Sequence, residues 1–362
     1  MTKPEYMIVC PEREKLEPSG LELEQGTFVV ERSNAGQFLS QSRKLAVRPF
    51  MRPFRSAREG GIRAGDTVLF VRPGGFGDLL FCTPIFRHLA EVGCRVVVAC
   101  LPRFAPVLEW NPDVWQVSPY PVPVDVWDAA DKHVWLENIL EDGVGSVAET
   151  FTAAAVDLIA RLAGVEPEDK TLRYVVTVEE AHWARMTYPM TPKKRVGIQV
   201  EASEKCRTYP FQNVQVVAGL LAQEGFEVLL FGRPGLIKKC EGPFLNLTAD
   251  NLTFRESCAV LAGCDAMVTP DSSLCHVAGA LGIPTVATYG PFLGQTRVSY
   301  APSVHAINGR AACAPCNHHA SSGLAWPSGC PGWQTGRCAA LENIPPELIA
   351  AKIAHLIAGK TP

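Results

Sequence analysis

The chain has 362 residues, 47% hydrophobic and 20% charged, with 34 basic against 37 acidic side chains and a formal net charge of −3. That length fits about two domains, each able to bury a core, and the composition excludes global disorder. The near balance of charge excludes a polycation that coats nucleic acid, and no uninterrupted apolar run reaches the roughly 18 residues of a membrane span.

The opening residues, MTKPEYMIVCPEREKLEP, hold one short apolar stretch before charges resume, which does not read as a secretory signal. A reducing compartment is therefore expected for the thirteen cysteines. Those in apolar runs, such as Cys100 and Cys264, read as small buried hydrophobes. Residues 1–65 form an N-terminal extension in which GTFVVE (26–31) suggests one strand. From Arg43 to Arg63 seven basic residues meet one acid, Glu59, and Pro49 and Pro53 break any continuous helix. This stretch reads either as a solvated linker or as a patch for anionic lipid or another acidic surface.

At Asp66 the pattern changes. TVLFV (67–71) is a buried strand, RPGGFGD (72–78) a glycine turn, Leu79–Glu91 a helix closed by Gly93, and RVVVAC (95–100) a second strand. Such a βαβ unit implies a parallel sheet. Residues 144–164 predict a helix ended by Gly164, and the proline-punctuated stretch 179–194 predicts an interdomain connection. The rhythm then restarts: strand 195–200, loop 201–210, helix 211–225, strand 226–232. A helix over 252–264 opens with a capping box of Thr253 and Glu256. Strand 265–270, loop and helix 271–282 and strand 284–290 follow. The last helix, 345–359, places Leu348, Ile349, Ile353, Leu356 and Ile357 on one apolar face. The expected domains are 66–190 and 191–345, the latter with a Cys-rich loop over 311–340, and then a C-terminal helix within 346–362. Ligands of such sheets bind at the carboxyl ends of the strands.

Four places carry candidate chemistry. In RPGGFGDLL, Gly74, Gly75 and Gly77 do not match G-x-G-x-x-G, and the second strand ends in Cys100-Leu101-Pro102-Arg103 with no acid for a ribose hydroxyl. A nicotinamide site is therefore disfavoured. Asp78 either caps the helix or faces a ligand as a general base. In EASEKCRTYP, Lys205 and Arg207 either pair with a diphosphate or are solvated loop charges. In TPDSSLCHVAGALG, Asp271, Ser272 and Ser273 open a helix whose amides suit phosphate. His276, about one turn on, is either a ligand-site residue or a hydrogen-bonded core histidine. Finally Cys313, Cys316, Cys330 and Cys338 lie in a Gly/Pro-rich loop. They read as structural zinc ligands, disulfide partners or unligated thiols, and a catalytic metal is not expected.

VRPGGFGDLLFCTPIFRHL resembles the opening of family 9 glycosyltransferases, the ADP-heptose:lipopolysaccharide heptosyltransferase group. RTYP resembles their basic residue before proline, and VTPDSSLCHVAGALGIPTVATYGP their Asp-Ser/Thr-Gly-x-x-His segment with its Tyr-Gly-Pro loop. The late C-x-P-C is also common in the group, and the likeness runs over about residues 66–358. The resemblance implies an α/β GT-B fold, two Rossmann-like domains with parallel sheets facing a central cleft. The acceptor would sit mainly on the N-terminal domain and the donor nucleotide on the C-terminal one. It implies inverting transfer of a sugar from a nucleotide-diphosphate donor, ADP-heptose as first choice, to a hydroxyl of a glycolipid or polysaccharide acceptor of lipopolysaccharide type. No cofactor and no metal are required. Asp78 would be the base and Arg207 the cation on the leaving diphosphate. Asp271 would hold the sugar or adjacent groups, and the amides of Ser272, Ser273 and Leu274 the phosphate. His276, Lys205, Gly75, Gly77 and Gly290 would complete the donor side. The expected setting is the cytoplasm, with peripheral contact at the inner face of the inner membrane. Ser273 replaces the usual glycine, Phe292 a common threonine, and the cysteine loop is longer than usual. A sugar-nucleotide epimerase and a non-catalytic nucleotide- or sugar-binding protein are the alternatives on the same fold.

Overall fold

Short apolar runs punctuated by glycine fold as buried parallel strands, and the computed structural model of the chain has two sets of them. It describes residues 6–136 apart from 18, 20, 31 and 43, then 152–237, 242–316 and 337–359. The chain divides into two compact units, residues 1–139 with 156–169 and residues 140–155 with 170–362.

The first unit opens with β1 (Tyr6–Cys10), β2 (Gly26–Val30) and β3 (Ala46–Pro49). Its parallel sheet uses β4 (Thr67–Val71), β5 (Arg95–Cys100) and β6 (Gln116–Pro119); then come β7 (Val122–Pro123) and β8 (Lys132–Trp135). The antiparallel order is β3-β1-β2-β7 and the parallel order β8-β4-β5-β6. Between β4 and β5 runs α1 (Phe76–Val92), three residues longer at its start than the sequence suggests, closed by Gly93 in the left-handed region. Of the helix expected over 144–164 only the C-terminal part is present, as α2 (Ala155–Ala163); Ala153 and Ala154 are not helical, and 144–151 lie outside the described residues.

The N-terminal extension is folded, and its basic stretch is not a linker. Ile8, Phe28, Val29 and Val30 share one core with Leu69 and Val97 of the parallel sheet and with Tyr120, Trp127 and Trp135. Beyond β3 the chain docks by both backbone and side chains. The Trp127 indole N–H donates to Pro53 O at 3.0 Å, and Arg55 Nη1 donates to Ala130 O at 2.7 Å. Arg52 pairs with Asp128 at 3.3 Å. Prolines exclude a helix here but leave these extended contacts available.

His133 is the pivot of that docking. Its ring stacks on Trp127 with centroids 4.0 Å apart, its Nδ1 accepts the Arg55 amide at 3.1 Å, and its Nε2 lies 3.0 Å from Trp127 O. The imidazole is therefore neutral, with the proton on Nε2, and burial pushes its pKa down to about 4 from 6.5. The unfolded chain takes up this proton below pH 6.5, whereas the folded chain resists until about pH 4. Stability is thus expected to fall as pH drops through that window, by up to roughly 3 kcal/mol. Chemical unfolding followed between pH 7 and 4 checks this, and a His133→Gln variant should lose that part of the slope.

The second unit contains β9 (Arg195–Gln199), β10 (Glu227–Phe231), β11 (Phe244–Asn246), β12 (Ala266–Pro270), β13 (Thr285–Tyr289) and β14 (Val304–Asn308). All pairings are parallel, in the order β11-β10-β9-β12-β13-β14. Numbered within the unit this is 3-2-1-4-5-6, the order of dinucleotide-binding folds. The stretch expected as a connection is instead largely a helix, α3 (Val178–Thr187), opened by a capping box of Thr177 and Glu180. Glu180 also takes Arg255 Nη2 at 2.7 Å, and Tyr174 meets Phe254 edge-on at 6.2 Å. Arg255 and Phe254 lie on α5 (Phe254–Leu261), which follows α4 (Phe211–Gln223) and carries the expected Thr253–Glu256 box. Then come α6 (Ser273–Ala280) and α7 (Pro346–Ile357). The terminal helix belongs to this core: Ile349, Ala350 and Ile353 are buried with Val217 and Leu221 of α4. Leu348, expected on the same face, is half exposed, because it stands at the edge of the buried stripe. Among the described residues no helix is long and apolar enough to cross a membrane.

Candidate active site

In each parallel sheet the strand order reverses between two adjacent strands, and the crevice at their carboxyl ends is where such sheets bind ligands. In the first unit these strands are β4 and β8. After β4 the chain turns through Arg72-Pro73-Gly74-Gly75, and α1 starts at Phe76. Gly75 is the N-cap residue, with φ 85° and no side chain capping the helix. Asp78, in the first turn, is therefore not the cap. Its carboxylate folds back over the turn, so close that a Cβ on Gly75 would lie 2.0 Å from Asp78 Oδ2. Here glycine is required twice, by the backbone angle and by the carboxylate. Gly77 lies half-buried in the same first turn of α1.

Asp78 forms an ion pair with Arg72, whose side chain is 8% exposed against 24% for Asp78. Arg72 Nη1 donates to Leu136 O at 2.8 Å, just past β8, and the Arg72 amide to Ala99 O at 3.0 Å. One guanidinium thus spans the crevice between β4 and β8 and holds the carboxylate. Nearby, Phe104 packs against Gly74 and meets Phe76 edge-on at 5.0 Å. The sequence reading missed Arg72, because nothing in a glycine turn tells which way its first side chain points.

In the second unit the switch lies between β9 and β12. Asp271 follows β12 and is 4% exposed. Arg207, in a short 3-10 turn after β9, donates through Nη1 to Asp271 O at 3.2 Å and lies 3.8 Å from its carboxylate. Its Nη2 donates to Ser203 Oγ at 2.7 Å, while its buried Nε has no hydrogen-bond partner among the described residues. Ser272 is the N-cap of α6, yet its hydroxyl does not cap the helix. Instead a relay reaches it: Thr269 Oγ1 donates to Gln199 Oε1, and Gln199 Nε2 donates to Ser272 Oγ, both at 2.9 Å. Gln199 thus takes one acceptor site of the Ser272 hydroxyl and leaves the hydroxyl proton able to donate. A helix N-terminus, a hydroxyl and a guanidinium together suit an anionic diphosphate. Gln199 also escaped the sequence reading, since a glutamine closing a strand has no motif. Gln199→Leu is expected to weaken nucleoside-diphosphate binding about fivefold, the scale of one hydrogen bond of about 1 kcal/mol. Titration calorimetry measures it, and an unchanged affinity would remove the relay from the site.

The other singled-out residues take different places. Ser273 is half-buried at the first turn of α6, and Leu274 and His276 are buried in that helix. Lys205 is exposed and Arg207 half-buried. Gly290 is buried at the end of β13, where a Cβ would lie 2.7 Å from Cys338 Sγ. Cys338 therefore packs against the Tyr-Gly-Pro segment, and the Cys316 amide donates to Pro291 O at 2.9 Å. Phe292 is buried with the Arg297 guanidinium 4.3 Å above its ring, so it does not replace a threonine hydroxyl. Cys313, Cys316 and Cys338 are half-buried thiols, and Cys330 lies outside the described residues. Among the described residues no three potential metal ligands come together. Burial pushes the thiols of Cys82, Cys100, Cys258, Cys264 and Cys275 up to about 12, as befits packing groups rather than nucleophiles.

Comparison with known proteins bears on this architecture. Residues 149–326 match the model of Glycosyltransferase family 9 (heptosyltransferase). The lipopolysaccharide heptosyltransferase 2 of Escherichia coli K12 is 37% identical over 98 residues, covering 24% of this chain and 27% of that protein. The lipooligosaccharide heptosyltransferase 2 of Haemophilus influenzae is 31% identical over 96 residues, again 24% of this chain and 28% of that protein. The chain thus spans little more than a quarter of the length of the curated relatives it matches. Among solved structures, ADP-heptose lps heptosyltransferase II of E. coli superposes with a TM-score of 0.61 at 17% identity, over 81% of this chain and 99% of that one. A family 9 glycosyltransferase from Veillonella parvula gives 0.64 at 14% identity, over 83% and 99%. The iron-containing dodecameric glycosyltransferase TibC of enterotoxigenic E. coli gives 0.61 at 13% identity, over 100% and 93%. These likenesses establish the fold as the GT-B class.

Proposed function

We propose that the chain, whose residues 149–326 match the family 9 model, is a glycosyltransferase of that family and transfers a sugar from a nucleotide-diphosphate donor to a hydroxyl of a cell-surface glycan precursor. ADP-heptose is the first donor to try, and a lipopolysaccharide-type saccharide the first acceptor. The observation that carries the reading is the grouping of Arg207, Asp271 and Ser272 at the switch point of the second sheet. Transfer inverts the anomeric centre in one displacement. Asp78 takes the proton of the acceptor hydroxyl as its oxygen attacks the anomeric carbon. The bond to the diphosphate breaks and its electron pair leaves with the diphosphate. Arg207 and the amides of residues 272–274 meet the growing negative charge, which is the part of the barrier fixed dipoles and cations lower most.

The reaction needs no metal in this scheme. TibC is described as iron-containing, and the cysteines at 313, 316, 330 and 338 are the residues of this chain with ligand chemistry for such an ion. The described ones do not complete a ligand set, and no step runs through them. Elemental analysis of the purified protein for iron and zinc decides that loop's state. The activity itself is tested by thermal shift with ADP, UDP, GDP and CMP, followed by the matching sugar donors, because a bound ligand raises the melting temperature by mass action. A shift with one diphosphate and transfer from its sugar to a saccharide acceptor is expected. No shift with any of them would overturn the reading.

A further inference from the structure

We propose that Arg72 is the positioning residue of the transfer step, holding the Asp78 carboxylate ionised and aimed from within the first sheet's crevice. The inference rests on the reading of Asp78 as the base. It goes beyond that reading by naming the group that makes the base usable.

Asp78 receives no help from the usual source. Gly75, not Asp78, is the N-cap, and no side-chain bond caps α1. A carboxylate on a short side chain in a glycine turn has several rotamers, and a base must be fixed to within fractions of an ångström to work. Among the described residues, Arg72 supplies a restraint from outside the turn. Arg72 directs its fork to two places at once, Nη1 to Leu136 O at 2.8 Å and Nη2 to Asp78 Oδ2. The first bond anchors the guanidinium to the neighbouring strand, so the second fixes the carboxylate relative to the sheet rather than to its own helix. Lysine cannot do this, because its ammonium is a single point on a flexible stem.

Charge points the same way. Arg72 is 7% exposed, and a buried guanidinium is strongly destabilising without a counter-charge. Asp78 is that counter-charge. The cation in turn keeps the carboxylate ionised before the acceptor arrives, as a general base must be. Cys82 is also packed on the pair: its Sγ lies 3.3 Å from Asp78 O, and burial pushes its thiol up to about 12. It stays neutral and does not share the proton.

The test is a double-mutant cycle of Arg72→Met and Asp78→Asn, with Arg72→Lys alongside. Turnover, donor affinity, the pH–rate profile and the melting temperature are measured for each. Arg72→Met is expected to lower kcat at least about tenfold, the cost of a loosely held base, with donor affinity unchanged. Its acid limb should move to higher pH, since a carboxylate without its cation protonates more readily. Arg72→Lys should restore the acid limb more than it restores kcat. On the Asp78→Asn background, Arg72→Met should add less than about a twofold loss, because residues acting as a unit are not additive. A wild-type kcat and acid limb in Arg72→Met would overturn the proposal. So would an equal loss on both backgrounds, which would mean direct contact with substrate. Full activity of Asp78→Asn alone would instead refute the base itself, and this proposal with it. If Arg72→Met does not fold, Arg72→Lys carries the comparison, as it keeps the buried charge but not the fork.

Discussion

Asp78→Asn is expected to reduce turnover by about 10²-fold or more, the usual cost of losing a general base, while the protein still binds its nucleotide donor. The substitution keeps the shape of the side chain and an oxygen for Arg72, but the amide cannot accept the acceptor's proton. It also leaves the Arg72 guanidinium, 8% exposed, without its counter-charge. For a fully buried pair that costs about 3–5 kcal/mol. Asp78 is a quarter exposed, so the penalty falls at or below the lower end, and a lower melting temperature should accompany the loss of turnover. The two effects are separable. Single-turnover rates, taken well below the melting temperature at saturating donor and acceptor, report the chemistry alone. Donor affinity reports the second unit, where Arg207 and Ser272 are untouched. Wild-type single-turnover rates in the folded variant would remove Asp78 from the mechanism.

The parallel sheets were legible because each central strand is buried on both faces. TVLFV, RVVVAC and RVGIQ are continuous apolar or β-branched runs, and glycines mark the turns. Of the N-terminal sheet only the strand at 26–31 was legible, and it is present as β2. Strands β1 to β3 are four or five residues long, and β2 pairs with the two-residue β7 some ninety residues further on. No local pattern encodes that distance, and the buried face depends on Trp127, which only the fold brings there. The helix at 178–187 shows a different failure. Its capping box has the same Thr-x-x-Glu spacing as the one at 253–256, but its apolar face is narrow and the prolines at 189 and 192 drew the reading toward a linker. At the sites, the residues meant to touch ligand were found from glycine turns and helix starts. Their supports, Arg72 and Gln199, were not, because a residue closing a strand shows its purpose only when the neighbouring strand is known.

Arg207→Ala is expected to weaken nucleoside-diphosphate binding by between about tenfold and 10²-fold, the loss of a charge-assisted hydrogen bond worth about 1.5–3 kcal/mol. Two effects contribute with the same sign. The cation that would meet the diphosphate disappears, and the Asp271 carboxylate, 3.8 Å from Arg207 and 4% exposed, loses its neighbouring positive charge. An anion arriving at α6 then meets a carboxylate no longer balanced by that cation. A second substitution separates the contributions: Asp271→Asn on the Arg207→Ala background removes the repulsion and should recover part of the affinity, but not the part owed to the guanidinium. Turnover should suffer more than binding, because negative charge on the leaving diphosphate is larger at the transition state than in the bound donor. Arg207→Lys supplies a point charge without the fork that reaches both Ser203 and Asp271. It should restore affinity better than it restores kcat. An Arg207→Ala protein with the dissociation constant and kcat of the wild type would place the diphosphate away from the β9–β12 crevice, and the donor site would have to be sought elsewhere in the second unit.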